Sequence, residues 1–468
     1  MRFIKNRQNF SRRRLTIYMG ALTITGIVVV VAIFAAGTFS AFEPENGTLS
    51  GSAAVVTASG ASGGQAVQFG SGATGGGGAP GVAVASFSPN YWAQWSHGPS
   101  TDPNWFPIGV FDNDPYWNDD DVKAANINTY VGLYDFGGQY SHYVTQGLVP
   151  HNSYAFAGEG SDAVNIMNDA TGGAHIQGYQ PADEAEMKGY DPADIQGWVN
   201  DIRVHDTSRP VFVGYGKGLS LPQPQANIWL NGHQPSEYCA VPDVVAADFY
   251  GPQDPQNFGY ANAYNGPTGQ FVYGKTIDLM RAACGPAKPV WHYVEAEKVN
   301  APSDQGGNLP APTPLQIQQN AWLGIIHGAN GLIYFCHDFG NQSAGDWDTK
   351  CLHDPPRTAA ITQMNTWLKS YAAVLNSPTR GNAVTVSGNT TKVTTLVKYL
   401  NGFAYIFAIA DGDETHVNSG STSATFTVDK LTNATVQLPN ESRTLTATGG
   451  KFTDTFTPFQ WHVYKIAM

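Results

Sequence analysis

Acidic side chains close several apolar runs in this chain, and their spacing is the first chemical signal. "IQGYQPADE" (Ile176–Glu184) ends in Asp183 and Glu184. "PVWHYVEAE" (Pro289–Glu297) carries Glu295, with Glu297 two residues further on. "DVVAADFYG" carries Asp248 and Tyr250, "GLIYFCHDF" carries His337 and Asp338, and "FPIGVFD" ends at Asp112. Two carboxylates brought to one rim from different strands can cleave an acetal. One protonates the leaving oxygen, and the other attacks the carbon or activates water. Glu184 and Glu295 are among the strand-end carboxylates that could form such a pair. The expected contacts to a bound molecule are Asp183, Tyr250, Asp248, His337 and Asp112. Glu297 competes with Glu295, because a two-residue offset keeps both on one strand face. Glu295 is favoured because it ends the apolar run. Glu186 reads as loop surface.

Each of these acids has a plain alternative, since carboxylates after strands also cap helices or face solvent. Metal and nucleophile chemistry have weaker support. No HxH or HExxH occurs. The one GxSxG, "GASGG" (Gly60–Gly64), lacks the strand–turn–helix setting of a nucleophile elbow. No metal and no cofactor are expected.

The elements that must position these residues are short and regularly spaced. Eight runs rich in Val, Ile, Tyr and Phe are bounded by Gly, Pro or Asp: Phe106–Asp112, Ile127–Tyr134, Leu148–Phe156, Ile176–Glu184, Pro210–Gly216, Asp243–Gly251, Pro289–Glu297 and Gly331–Phe339. Helical patterns lie between several of them. "DPADIQGWVNDIRVHD" puts Ile195, Trp198, Val199 and Ile202 on one face. "TPLQIQQNAWLGIIHG" opens with Thr313 as N-cap and Pro314 at the first helical position, and Ile317, Ala321 and Ile325 form a buried stripe. Arg357–Asn376 is the last long helix. This alternation fits a (β/α)8 TIM barrel over residues 86–378, whose reactive groups sit at the C-terminal ends of its strands. No GxGxxG follows the first strand, as a doubly wound sheet would prefer. Trp291, inside the seventh run, belongs in the core. From 379 to 468 the chain alternates as a small antiparallel β-sandwich.

The first 41 residues stand apart. Arg2, Lys5, Arg7, Arg12, Arg13 and Arg14 precede an uncharged run from Leu15 to Ala41, long enough to cross a bilayer. The basic end stays inside, so a signal-anchor is expected, with the bulk extracytoplasmic; a cleaved leader and secretion is the alternative. Residues 42–85 read as a Gly/Ser-rich stalk. Without the six basic residues of that basic end, 19 basic residues face 37 acidic ones, a net of −18 that repels nucleic acid and favours a neutral substrate. Four cysteines in an exported chain permit disulfides, but spacing does not fix the pairing. Cys336–Cys351 would close a short loop and leave Cys239–Cys284.

Two family resemblances are carried by specific residues. "FEPENGTLSGSAAVVTASGASGGQAVQFG" (Phe42–Gly70) resembles part of a β-sandwich carbohydrate-binding module. Across about Phe106–Asn376 the chain resembles the clan A glycoside hydrolases, whose acid/base ends strand four and whose nucleophile ends strand seven. "GYQPADEAE" matches the first position and "KPVWHYVEAEK" the second. The resemblance implies a retaining glycosidase acting on an oligo- or polysaccharide, with Glu184 as acid/base, Glu295 as nucleophile, and Tyr250 touching the nucleophile. Clan members commonly carry Asn where this chain has Asp183. That departure keeps a second expectation open, a non-catalytic surface glycan-binding or adhesion protein on the same scaffold.

Overall fold

The computed structural model describes residues 53–57, 65–69, 78–111, 119–133, 148–158, 173–222, 225–250, 271–299, 310–341, 348–412 and 420–468. The expected leader (1–41) and Asp112 lie outside them. Among the described residues no helix is long and apolar enough to cross a membrane. The chain divides into two units, Met1–Thr74 and Gly75–Met468. In the first, Ala53–Thr57 and Gln65–Phe69 pair as an antiparallel hairpin.

The second unit holds the parallel barrel. Its strands are β1 (Ile108–Phe111), β2 (Thr129–Leu133), β3 (Ala155–Ala157), β4 (Ile176–Tyr179), β5 (Phe212–Tyr215), β6 (Val244–Ala247), β7 (Val290–Glu295) and β8 (Leu332–Phe335). They hydrogen-bond in the order β4-β3-β2-β1-β8-β7-β6-β5. Parallel bridges Tyr179↔Val211 and Asp183↔Gly214 join the two ends. The (β/α)8 expectation therefore holds. One expected run was too generous: Leu148–Phe156 spends its first residues on a helical turn, Val149–His151. Asn152 then turns the chain at φ +53° before β3 begins.

Alternation along each strand sorts side chains between barrel interior and helix layer. Trp291 and Tyr293 of β7 point in, with Phe156, Phe212, Val244, Ala246, Ile333 and Phe335. Val290 and Val294 join the outer cluster beneath the helices. Trp92, from the turn Pro89–Gln94, packs on Trp291 with ring centroids 6.4 Å apart. Both indoles are fully buried, so Trp291 is core, as expected.

The helices that matter for the site are α1 (Pro192–His205), α2 (Lys217–Ser220), α3 (Pro235–Ala240), α4 (Phe271–Cys284), α5 (Pro314–Ile326) and α6 (Pro355–Leu375). Asp191 and Asp194 form a capping box at α1, and Thr313 and Gln316 form one at α5. The stripe expected on α5 is too narrow, because every residue from Ile317 to Ile326 is buried. The cause lies downstream: Trp322 packs on Phe407 at 5.7 Å.

Phe407 belongs to a two-sheet sandwich. A three-stranded sheet orders Val384–Ser387, Thr422–Val428 and Lys451–Phe456. A five-stranded sheet orders Thr394–Leu400, Phe403–Ile409, Trp461–Ala467, Ala434–Leu438 and Arg443–Ala447. Phe426 and Phe452 of the small sheet stack on each other and meet Tyr464 of the large one. The other face of the large sheet gives Leu396, Phe407, Ile409 and Val463 to the barrel's outer core. That sheet is thus covered on both sides. A short pair, Val82–Ala83 with Arg380–Gly381, ties the entry of this unit to the start of the sandwich. The cysteines pair as Cys239–Cys284, joining α3 to the end of α4, and Cys336–Cys351, holding the chain just past β8.

Candidate active site

Acids follow the C-terminal ends of β4 and β6 and close β7, at the mouth of the barrel. Past β4 the chain runs alongside β5. Asp183 bridges Gly214, and Glu184 N–H donates to Gly214 O at 3.0 Å. Glu184 holds φ at +45°, a left-handed conformation for a residue with a side chain. Such strain costs roughly 1–3 kcal/mol and persists only where surrounding structure enforces it.

Glycine makes the room. "GYGKG" places Gly214, Gly216 and Gly218 at every second position facing this loop. A Cβ at Gly214 would lie 3.7 Å from Asp183 Oδ1. One at Gly216 would lie 2.8 Å from both Glu184 Oε1 and Met187 Cγ, and one at Gly218 would lie 2.5 Å from Glu186 Cγ. The three acids of the loop are therefore seated on three glycines. Gly216→Ala is expected to lower the unfolding midpoint modestly, because Met187 as well as the end of the Glu184 side chain must move. It should lower kcat by about 10²-fold, the scale of an ångström-level misplacement. Wild-type kcat in this variant would mean that the Glu184 carboxyl is not used where it rests.

Glu295 ends β7 and is wholly buried. The alternation that sends Trp291 and Tyr293 inward puts it on the same face. Tyr273 Oη, from the first turn of α4, donates to Glu295 Oε2 at 3.3 Å. Glu297 is engaged elsewhere. Its Oε2 accepts from Arg357 Nη1 at 2.7 Å and its Oε1 from Lys298 N at 3.1 Å.

Asp248 follows β6 and is 6% exposed. Burial raises its pKa well above the ordinary carboxylate range, and the charges of Glu184 and Asp183 add to the effect. The shift favours its protonated form, in which it can donate a hydrogen bond. Asp248 and Glu184 also act on both Tyr250 and Tyr293, so these groups lie within electrostatic reach of one another. Tyr250 Oη approaches the Asp248 carboxyl off the geometry of a full hydrogen bond. Asp248 Oδ1, Tyr250 Oη and Tyr293 Oη are buried with no hydrogen-bond partner among the described residues. Asp183 Oδ2 faces Lys188 Nζ at 3.6 Å.

No family model and no curated protein matches the chain. Solved structures do show likeness. An α-amylase from Geobacillus thermoleovorans, complexed with acarbose, is 9% identical at a TM-score of 0.47, over 78% of this chain and 99% of that one. A structure described as a glycoside hydrolase is 11% identical at 0.49, over 78% and 92%. A family 5 glycoside hydrolase from Bacteroides vulgatus is 12% identical at 0.47, over 78% and 88%. At TM-scores below 0.5 these likenesses carry no argument. The barrel rests on its own strand order and the site on its own geometry.

Around the acids the mouth is aromatic. Phe111 stacks on Phe335 at 5.5 Å, and Tyr250 packs on Phe335 at 4.9 Å. His337 lies against Phe335 at 4.5 Å, and its Nε2 donates to Phe111 O at 3.2 Å. Burial lowers the His337 pKa to about 4, so this ring is a neutral wall at physiological pH.

Sequence reading missed three features here. Tyr273 gave no signal, since it lies in a helix remote from β7 in the chain. The tyrosine hydroxyl bonded to Glu295 is Tyr273, while Tyr250 packs against Phe335 and Tyr293. Tyr293 was hidden inside an apolar run. Glu186, read as loop surface, is 1% exposed, and this corrects that expectation. The alternating glycines of "GYGKG" were the available clue, because glycines at that spacing leave notches for side chains from a neighbouring segment.

Proposed function

We propose that this chain is a retaining glycoside hydrolase of oligo- or polysaccharides, held at the outer face of a membrane by its N-terminal segment. The supporting observation is the convergence of acids from the ends of β4 and β6 in one aromatic cup, with Glu295 on the inward face of β7, beside three buried oxygens that lack hydrogen-bond partners among the described residues. Aromatic faces suit the C–H face of a sugar ring. The unpartnered oxygens of Asp248, Tyr250 and Tyr293 suit its hydroxyls.

Glu184 gives its proton to the glycosidic oxygen while Glu295 attacks the anomeric carbon. The bond to the leaving sugar breaks and a glycosyl ester to Glu295 forms. Water then attacks that carbon. Glu184 takes a proton from the water, and the ester bond returns its electron pair to Glu295. Tyr273 holds the attacking carboxylate, and the buried Asp248 carboxyl, its pKa raised by burial, faces a ring hydroxyl. Arg357 keeps Glu297 out of this chemistry.

Proton NMR of a turned-over glycoside tests the stereochemistry. The first product anomer should carry the substrate's configuration. A first product of opposite configuration would exclude the ester at Glu295. Binding across a glycan array with no turnover would favour the adhesion reading instead.

A further inference from the structure

Glu186 has no part in the chemistry above, yet it is built into the same turn. Its Oε1 accepts from Gly218 N at 3.2 Å, and its Oε2 is buried with no hydrogen-bond partner among the described residues. Only glycine at 218 admits its Cγ. The turn that carries both glutamates is closed by Lys188 N to Glu184 O and by Gly189 N to Glu186 O, each 3.1 Å. Any shift of Glu186 therefore moves Glu184 through one intervening residue.

We propose, on the reading of Glu184 as the acid, that Glu186 is a positioning residue: its carboxyl, seated against Gly218, holds the turn so that Glu184 rests over Gly216.

The surroundings keep that carboxyl uncharged. The titratable groups that face it are Glu184 on its own turn, Tyr215 from β5, Tyr238 from α3 and Asp248 after β6. All are acids, and none favours a second negative charge. Burial first, and the charge of Glu184 in addition, raise Glu186 to about 8. Above that pH a charged Glu186 would have only the backbone amides of Glu186, Gly216 and Gly218 to set against its burial. The side chain would have to leave its notch, taking the turn with it.

Two measurements test this. The carboxyl 13C shift of Glu184, assigned by its loss in E184Q, titrates without substrate. In the wild type it should show an inflection near pH 8, as Glu186 loses its proton, and E186Q should lack it. In kinetics, the wild-type alkaline limb of kcat/KM should fall with a slope of about two per pH unit, and that of E186Q with about one. Glu186→Ala should lower kcat about tenfold with KM little changed, and Glu186→Gln, which keeps an acceptor for Gly218, should recover most of it. Superimposable Glu184 titrations in wild type and E186Q overturn the proposal, whatever the enzyme cleaves. If no glycan is turned over, the hydrolase reading falls, and the 13C titration alone decides whether Glu186 governs Glu184.

Discussion

Glu295→Gln should reduce turnover about 10⁵-fold on every substrate, because an amide cannot form the glycosyl ester. Glu184→Gln should behave differently. On a natural glycoside the loss should be about 10²–10⁴-fold, the usual share of general acid catalysis. On a dinitrophenyl glycoside bond cleavage should be nearly spared, since that leaving group departs without a proton. The contrast between the two leaving groups assigns the roles, which a simple loss of activity does not. Steady-state kinetics on one substrate of each kind suffices. Equal losses for Glu184→Gln on both would remove it as the acid. More than about a tenth of wild-type activity in Glu295→Gln would remove it as the nucleophile. Glu297→Gln is the internal control. It breaks the pair with Arg357 and should act on stability before it acts on rate.

Asp411→Asn should destabilise the protein by about 3 kcal/mol below pH 6.5, and the difference from wild type should vanish as the pH rises through 9. The reason is His327, at the end of α5. Its Nε2 meets Asp411 Oδ2 in the sandwich at 2.7 Å, and its Nδ1 meets Asp278 Oδ1 of α4 at 2.9 Å. Burial alone would lower the imidazole's pKa. The two carboxylates outweigh burial and raise it to about 9. A folded-state pKa above the unfolded one favours the fold while the histidine is protonated in both states. The favour is lost as pH climbs from 6.5 to 9, where only the folded state still holds the proton. Denaturant unfolding of both proteins across that window measures it. The comparison cancels Glu186, whose raised pKa lowers stability over an overlapping range in both. A constant difference across the window would show that His327 carries no charge in the junction.

Much of the barrel was legible in the chain. Strand periodicity, the turn residues around each run, and caps such as Thr313 and Asp191 are local, acting over a few residues. They placed Glu184 and Glu295 at strand ends, where a closed parallel barrel gathers its reactive groups. The cysteine count permitted two bridges. It took the fold to set Cys239 against Cys284, with 45 residues between them.

Burial and partnership were not legible, because both depend on contacts distant in sequence. Glu297 competed with Glu295 in the sequence, and it took Arg357, sixty residues on, to occupy it. Helix α5 showed an amphipathic stripe, yet it is buried all round because a sheet beginning near residue 394 closes over its outer face. Glu186 followed two other acids in a polar loop, the pattern of a solvated surface. The notch at Gly218 makes it an inward carboxyl. The sequence by itself determined which residues carry charge and which strand ends hold them. The tertiary structure alone decided which carboxyls keep a proton, since that depends on the water and charge excluded by segments far along the chain.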